Sequence, residues 1–166
     1  MRTGIANKIK YRKYANDEFY TPEKLAKSLI KLVPYKKGDV WLDNAPGHGA
    51  FLDNFPAGVK KAECVEFFTV APDSCDWAVT NPPYSKLDDW FEHSTKVSRK
   101  GFAYLLGFHN ITPRRIQMCE KAGFGLTKVH LCKVFKWFGI SAFCVFEKGK
   151  PSIINYDRKV WHSEEE

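Results

Sequence analysis

Short apolar segments alternate with amphipathic segments along the chain, and this alternation restricts the fold more than any other feature of the sequence. The apolar segments have the length of strands and suit a sheet buried on both faces. They centre on residues 40–42, 59–68, 76–80 and 101–107. Two more occupy residues 128–149 and are joined by an aromatic, glycine-containing turn, which is typical of a hairpin. Strands that alternate with helices and end in a hairpin predict an α/β fold, mostly parallel with one reversed strand.

Three amphipathic segments predict helices. The first follows Thr21, a favourable N-cap, and Pro22, which suits the first helical turn. The same Thr-Pro opening recurs at Thr112 and Pro113 and predicts a second helix. The remaining helix is indicated by residues at helical spacing: Leu87, Trp90, Phe91, Ser94 and Val97.

The length and hydrophobicity of the chain predict one globular domain over residues 1–166. With 166 residues, the chain can bury a single core, flanked by a basic N-terminal arm (1–17) and a C-terminal tail (151–166). Its longest apolar runs fall well short of the roughly 18 residues that cross a bilayer. The first residues lack the apolar core of a secretion signal. We therefore expect a cytoplasmic protein with no membrane contact.

The cysteine pattern argues against a disulfide framework and a zinc site. The chain has 5 cysteines, an odd number, and none of them forms a C-x-x-C pair. We expect reduced, mostly buried thiols and no metal ion.

The charge of the chain indicates a polyanionic partner. Lysine and arginine number 26 against 19 acidic residues, so the net charge is +7. Many of the basic residues occur as adjacent pairs, which concentrates positive charge. The alternative is an ordinary solvated surface that serves solubility.

Four residues directly after the strand at 76–80 point to a chemical function. Pro82 and Pro83 fix two φ angles and remove two N–H donors, which makes the loop a rigid set of hydrogen-bond acceptors. The side-chain oxygen of Asn81 and the carbonyl of Pro82 can together accept both hydrogens of a primary amine. Tyr84 offers a flat face to the ring that carries the amine. Taken alone, the four residues also fit a structural turn. Together with the loop at 44–49, which should lie at the same sheet edge, they suit alkylation of an exocyclic base amine.

Asn81-Pro82-Pro83-Tyr84 resembles the catalytic tetrapeptide of the amino-methyltransferases, which use S-adenosylmethionine to methylate adenine N6 or cytosine N4. Residues 43–52 resemble the family's D-P-x-x-G-x-G-x-F-L cofactor loop, and residues 19–22 are similar to its F-x-T-P element. Residues 76–80 resemble the strand before the tetrapeptide, and the order of elements matches. The resemblance implies a Rossmann-like class I methyltransferase fold with helices on both faces. The segment before Asp76 is short, which suggests that the fold is minimised between its strands 2 and 4.

The resemblance also implies S-adenosylmethionine as the cofactor and a set of residues that bind it. Gly47 and Gly49 let the backbone approach the ligand, and Asp43 faces the methionine amino group directly or through water. Glu63 is the first choice for the ribose hydroxyls, and Glu66 resembles an acid that contacts the adenine amine in some short phage-type members. An ordinary surface role is the alternative for either glutamate. The implied set is Phe19, Tyr20, Thr21, Pro22, Asp43, Asn44, Ala45, Gly47, Gly49, Phe51, Glu63, Glu66 and Asn81.

Two positions depart from the family pattern. Asn44 stands where the family favours proline, and His48 stands where a small residue is common. Neither departure removes necessary chemistry.

The substrate side is expected to hold aromatic and basic residues. Methyl transfer from a sulfonium needs alignment more than a general base, so a catalytic histidine is not required. A base that leaves its stack needs a second aromatic wall opposite Tyr84. Trp137 and Phe138 are expected there, with a hydrophobic turn as the alternative, and His109 follows a strand end nearby. The expected phosphate contacts are Arg114, Arg115, Lys8, Lys10, Arg12 and Lys13.

Together these features predict a compact, phage-like DNA adenine-N6 methyltransferase. Target recognition would come from the loops and tails, or from a protein partner or a homodimer. RNA adenine-N6 methylation is the nearest alternative, followed by methylation of glutamine in a protein. A further alternative is an inactive nucleic-acid-binding relative. The basic surface disfavours a protein substrate, and the intact motifs disfavour an inactive binder.

Overall fold

The computed structural model describes residues 20–62, 64, 66–136 and 138–158. These residues form one six-stranded sheet. Its strands are β1 (Val40–Leu42), β2 (Lys60–Ala62), β3 (Cys75–Thr80), β4 (Ser98–Gly107), β5 (Phe124–Cys132) and β6 (Ser141–Lys148). The described part also contains the helices α1 (Glu23–Ile30), α2 (Leu87–Val97) and α3 (Pro113–Lys121). The predicted basic arm at 1–17 lies outside the described residues.

The sheet is mixed, with the strand order β2-β1-β3-β4-β6-β5. The neighbouring strands β2, β1, β3 and β4 run parallel to one another. Strand β6 runs antiparallel to both of its neighbours, β4 and β5. The prediction of a mostly parallel sheet with one reversed strand is confirmed.

Helices cover both faces of the sheet, as predicted. In β4, Phe102 and Tyr104 point to the face that packs against α2 and α3. The alternate residues Ala103 and Leu105 point to the face covered by α1. Because successive side chains of a strand leave opposite faces, both sets can be fully apolar only if the sheet is buried on both sides.

Helix α2 confirms the helical spacing in the sequence. Leu87, Trp90, Phe91, Ser94 and Val97 are all buried. The ring of Phe91 contacts Phe102 and Phe146 of the sheet edge-on. The hydroxyl of Ser94, the only polar member of this face, is hydrogen-bonded to the buried hydroxyl of Tyr104.

The two Thr-Pro openings behave differently. Thr112 caps α3, where its hydroxyl accepts a hydrogen bond from the Arg115 backbone N–H at 3.4 Å. The prediction that Thr21 caps α1 is wrong, because α1 begins at Glu23 and its cap residue is Pro22. The Thr21 hydroxyl instead accepts a hydrogen bond from the side chain of Asn81.

The connection from β2 to β3 is short. Its described residues contribute only a 3-10 turn, Phe67–Thr69. Strand β2 is an edge strand of the sheet that the described part of the chain forms. This agrees with the expectation of a fold minimised at that point.

The described part of the C-terminal tail packs against the core. The backbone N–H of Ile153 donates to the carbonyl of Leu126 at 2.9 Å, and the Ser152 hydroxyl accepts from the N–H of Leu126 at 3.0 Å. All five cysteines are free thiols, and three of them are buried. The helices of the described ranges are all too short or too polar to cross a membrane.

Candidate functional site

The loops after β1 and β3 meet at the carboxyl edge of the sheet and form a cleft of ≈ 290 Å³. We call it the glycine-loop cleft. Three separate segments of the sequence contribute to it. Two of them, the glycine loop and the loop that begins at Asn81, follow strand ends as predicted. The third, at Tyr20 and Thr21, precedes α1, and the predicted strand-end residue Glu66 does not line the cleft. Its lining is Tyr20, Thr21, Ala45, Pro46, Gly47, His48, Ala50, Phe51, Asn81 and Pro83.

Asp43 holds the glycine loop in place. One carboxylate oxygen accepts hydrogen bonds from the Thr80 hydroxyl at 2.7 Å and from the Ala45 N–H at 3.2 Å. The other oxygen accepts from the Leu52 N–H at 3.1 Å. The side chain is thus committed to the loop, and the residue is only 3% exposed. Any contact with a ligand amino group would be made from beneath the loop.

Burial changes the acidity of Asp43. Removal of the carboxylate from water raises its pKa to about 6, although the hydrogen bonds from Thr80, Ala45 and Leu52 act in the opposite direction. The ordinary value is 3.8, so the folded protein binds this proton more tightly than the unfolded chain does. Below the pKa of the unfolded chain, Asp43 therefore does not lower the free energy of unfolding. As the pH rises from that value through the pKa of the folded protein, the free energy of unfolding falls, because the buried carboxyl group has to ionise.

We predict a pH-dependent difference in stability between the wild type and Asp43→Asn. From pH 4.5 to pH 7, the wild type should lose about 2 kcal/mol of unfolding free energy relative to the variant, which cannot titrate there. Urea unfolding of both proteins at several pH values measures the difference, and the other carboxylates cancel between them. A difference that is constant with pH would contradict the assignment.

The two predicted glycines have backbone angles that favour glycine. Gly47 has φ +51° and Gly49 has φ +82°. A Cβ at Gly49 would lie 2.5 Å from Asp53 Oδ2, whereas a Cβ at Gly47 would meet the Tyr20 ring at 3.5 Å. Both glycines are therefore favoured by their positive φ. A Cβ at Gly49 would also displace the Asp53 side chain, whereas a Cβ at Gly47 would make an ordinary contact with the Tyr20 ring.

Tyr20 and His48 cover Gly47. Their rings are 3.6 Å apart between centroids and inclined by 34°. Tyr20 is 42% exposed, so this pair lies where the cleft meets solvent. His48, a departure from the family pattern, thus packs against a residue of the predicted cofactor set.

The end of β3 connects the glycine loop, through Thr80, with the segment before α1, through Asn81. The Nδ2 of Asn81 donates to Thr21 Oγ1 at 3.3 Å. The preceding residue, Thr80, is fully buried and donates to Asp43 and, at 3.2 Å, to the Ala45 carbonyl. Thr80 was not predicted as a site residue, and the signal for it was a hydroxyl at the end of an otherwise apolar strand.

Asn81 also borders a second space, which we call the aromatic hollow. Its lining is Asn81, Tyr84, Leu105, Val134, Phe135, Phe138 and Ser141. Phe138 therefore lies near Tyr84, as the predicted second wall requires. The hollow measures ≈ 10 Å³, which is room for about one water molecule. A planar ring can enter only when an aromatic side chain of the lining moves.

Tyr84 is fixed at both ends of its side chain. It begins the 3-10 turn Tyr84–Lys86, and its hydroxyl accepts a hydrogen bond from the Gly107 N–H at 3.1 Å. Burial raises the pKa of this hydroxyl. The ring is thereby held beside Asn81 as a neutral aromatic surface.

Several predicted cofactor residues lie away from the cleft. Asn44 is buried, and its Nδ2 donates to the Tyr104 hydroxyl at 3.2 Å, on the core side. Glu66 is exposed at the start of the turn Phe67–Thr69. Pro22 is the cap residue of α1, beside the lining residue Thr21. Phe19 and Glu63 lie outside the described residues, and their predicted roles stay predictions.

The residues predicted to contact the substrate also lie at different places in the fold. The guanidinium of Arg115 donates to Asp88 at 2.7 Å and to the Asn110 carbonyl at 2.9 Å, and its side chain is 19% exposed. It joins α2 to α3. Arg114 is 73% exposed and lies 3.4 Å from Asp88. His109 is exposed in the turn after β4. Trp137 and the basic residues 8–13 lie outside the described residues.

Other exposed cations lie close in sequence to residues that line the aromatic hollow. Lys86 follows Tyr84 in the same turn, and Lys133 and Lys136 flank the lining residues Val134 and Phe135. All three lysines are exposed. These lysines were not predicted as phosphate contacts, because none of them belongs to an adjacent basic pair.

Comparison with known proteins shows what this architecture is. No protein-family model and no curated protein matches the sequence. A solved candidate RNA methyltransferase from Pyrococcus horikoshii is similar with a TM-score of 0.61 at 14% identity, over 87% of this chain and 96% of the other. A candidate class I S-adenosylmethionine-dependent methyltransferase from Listeria monocytogenes gives 0.58 at 13%, over 94% and 68%. This chain has the class I methyltransferase fold.

A third solved structure carries a bound ligand. The magnesium protoporphyrin IX methyltransferase of Synechocystis with S-adenosylmethionine has a TM-score of 0.55 at 5% identity, over 76% of this chain and 79% of the other. At such identities the likeness establishes the class I methyltransferase fold alone. What the site binds has to be argued from the cleft and the hollow.

Proposed function

We propose that the chain is an S-adenosylmethionine-dependent methyltransferase that acts on the exocyclic N6 amine of adenine in DNA. One observation carries the proposal. Asn81 stands between the glycine-loop cleft and the aromatic hollow and borders both. A donor in the cleft and a planar ring in the hollow would then meet at the Asn81-Pro82-Pro83-Tyr84 platform.

The glycine-loop cleft fits the cofactor in size and lining. Its ≈ 290 Å³ is close to the lower end, about 300 Å³, of small-molecule sites. The left-handed Gly47 keeps the loop free of a Cβ on its surface. Tyr20, Thr21 and the loop backbone would hold the methionine end. When bound, S-adenosylmethionine supplies an electrophilic methyl group on a sulfonium.

The platform would orient the amine. The Asn81 side-chain oxygen and the Pro82 carbonyl would each accept one hydrogen, which localises the lone pair on nitrogen and directs it toward the cleft. Pro83, with φ −64° and ψ 138°, is extended and holds the loop rigid. Tyr84 would stack on the base. Alignment supplies the rate enhancement, and the proton leaves to solvent after transfer.

The surroundings of the hollow favour nucleic acid as the substrate. Exposed Lys86, Lys133 and Lys136 lie within two residues of lining residues of the hollow in the sequence, and the chain carries a net charge of +7. Cations at these positions would bind phosphates on either side of a base inserted in the hollow. RNA is the second candidate, because one solved neighbour is a candidate RNA methyltransferase. Recognition by a protein partner or a second copy stays a prediction.

Analysis of methylated nucleosides tests the function. The protein is incubated with methyl-labelled S-adenosylmethionine and unmethylated DNA, RNA or protein, and the products are digested and separated. We expect label in N6-methyldeoxyadenosine. Label in a ribonucleoside would move the proposal to RNA, and label in glutamine would overturn the nucleic-acid substrate. The absence of label from every product would overturn the enzyme proposal and favour an inactive nucleic-acid-binding relative.

Two adjacent arginines provide a matched pair of variants. Arg114→Ala should leave stability nearly unchanged but weaken nucleic-acid binding. The slope of the logarithm of the binding constant against the logarithm of the salt concentration should fall by about 1 in magnitude, because one exposed phosphate contact is lost. Arg115→Ala should instead destabilise the fold by about 1–2 kcal/mol, because charge-assisted hydrogen bonds between α2 and α3 are lost. Fluorescence anisotropy at several salt concentrations and urea unfolding measure the two effects. Identical behaviour of the variants would contradict these assignments.

A further inference from the structure

The Thr21 hydroxyl accepts a hydrogen bond from the Asn81 side-chain amide across 60 residues of sequence. Both residues line the glycine-loop cleft. The distance from Asn81 Nδ2 to Thr21 Oγ1 is 3.3 Å, which is a long hydrogen bond for an N–H donor. The contact joins the segment before α1 to the end of β3 at the wall of the cleft.

This contact explains why a threonine precedes α1 without capping it. The cap residue is Pro22, and α1 begins without a side-chain cap hydrogen bond. Thr112, in the corresponding position before α3, does cap its helix. The Thr21 hydroxyl is therefore used in a tertiary contact where the equivalent hydroxyl is used locally.

The direction of the hydrogen bond determines which way the amide faces. The Asn81 amide has one donor arm and one acceptor arm, which diverge from the same carbon. When Nδ2 points to Thr21, Oδ1 is turned away from it. A rotation of the amide by half a turn would exchange the two arms and place donor hydrogens where an incoming amine needs an acceptor.

We propose that Thr21 is a positioning residue that sets the orientation of the Asn81 amide for the incoming amine. The inference rests on the proposed function, because it assigns Asn81 the acceptor role. Thr21 belongs to the segment that would hold the methionine end of the cofactor. It thus links cofactor binding to the geometry of the acceptor.

The kinetic test compares Thr21→Val, which keeps the shape and removes the hydroxyl, with Thr21→Ser, which keeps the hydroxyl. We expect Thr21→Val to lower kcat about tenfold, the effect of one hydrogen bond, and Thr21→Ser to restore most of the lost turnover. A purely structural role would lower Tm and leave kcat per folded molecule unchanged. A rise in KM for S-adenosylmethionine with unchanged kcat would make Thr21 a cofactor contact only. Either of these two results overturns the proposal.

A second readout does not depend on activity. In the NMR spectrum of labelled protein, the side-chain NH₂ signals of Asn81 are assigned by their loss in Asn81→Ala. They should shift in Thr21→Val and stay close to the wild type in Thr21→Ser. Unshifted signals in Thr21→Val would overturn the proposal. If the wild type transfers no methyl group to any substrate, the proposed function fails, and this spectrum still reports whether Thr21 orients the amide.

Discussion

Asn81→Ala is expected to lower the rate of methyl transfer by about 10²–10³-fold while binding of S-adenosylmethionine persists. Losses of this size follow the removal of one group that is preorganised to stabilise a transition state. Alanine removes the acceptor that would orient the amine, but the backbone of the glycine loop and the segment before α1 remain. Single-turnover transfer from labelled cofactor measures the rate, and isothermal calorimetry measures the affinity.

Asn155→Ala is the matched control. Asn155 is exposed in the C-terminal tail, far along the chain from the cleft, and the chemical change is the same. Turnover of this variant should equal that of the wild type. If Asn81→Ala also turns over normally, the platform mechanism is wrong.

Gly47→Val is expected to weaken S-adenosylmethionine binding at least about tenfold, or 1.4 kcal/mol. The affinity falls because the valine side chain would occupy space between the loop and Tyr20. The strain of a β-branched residue at φ +51°, about 1–3 kcal/mol, lowers the stability instead. Calorimetric titration gives the dissociation constant, and thermal unfolding separates it from a loss of stability.

Gly38→Val isolates the strain. Gly38 has φ +90° but lies in open space, since a Cβ there would meet no atom within 4 Å. The two variants should lose comparable stability, and only Gly47→Val should lose affinity. An unaltered dissociation constant for Gly47→Val would remove this loop from the cofactor site.

The elements of the fold were predictable where packing repeats along the sequence. The five buried residues of α2 recur at helical spacing, and their partners on β4 alternate as strand residues must. The start of α1 was predicted wrongly because the same hydroxyl can cap a helix or bind a distant side chain. Only the fold decides between the two uses of the hydroxyl, and Thr21 binds the side chain of Asn81.

The candidate site was predictable in position more than in detail. Parallel strands bring their carboxyl ends together, so the glycine loop and Asn81 had to be neighbours. Side chains that find an internal partner could not be recognised in the same way. Arg115 turns to Asp88, and Asn44 turns to Tyr104, because those groups come from other elements of the core.

The tightness of the aromatic hollow has a consequence for target affinity. If a base enters the hollow as proposed, the hollow has to open first, because it has room for about one water molecule, and the open form would be a minority of the population. The apparent dissociation constant then exceeds the intrinsic one in inverse proportion to that minority, about 100-fold for a population of one per cent. Bases that are already unstacked would be modified first, because they are available at the entrance of the hollow when the side chains of Phe135 and Phe138 move apart.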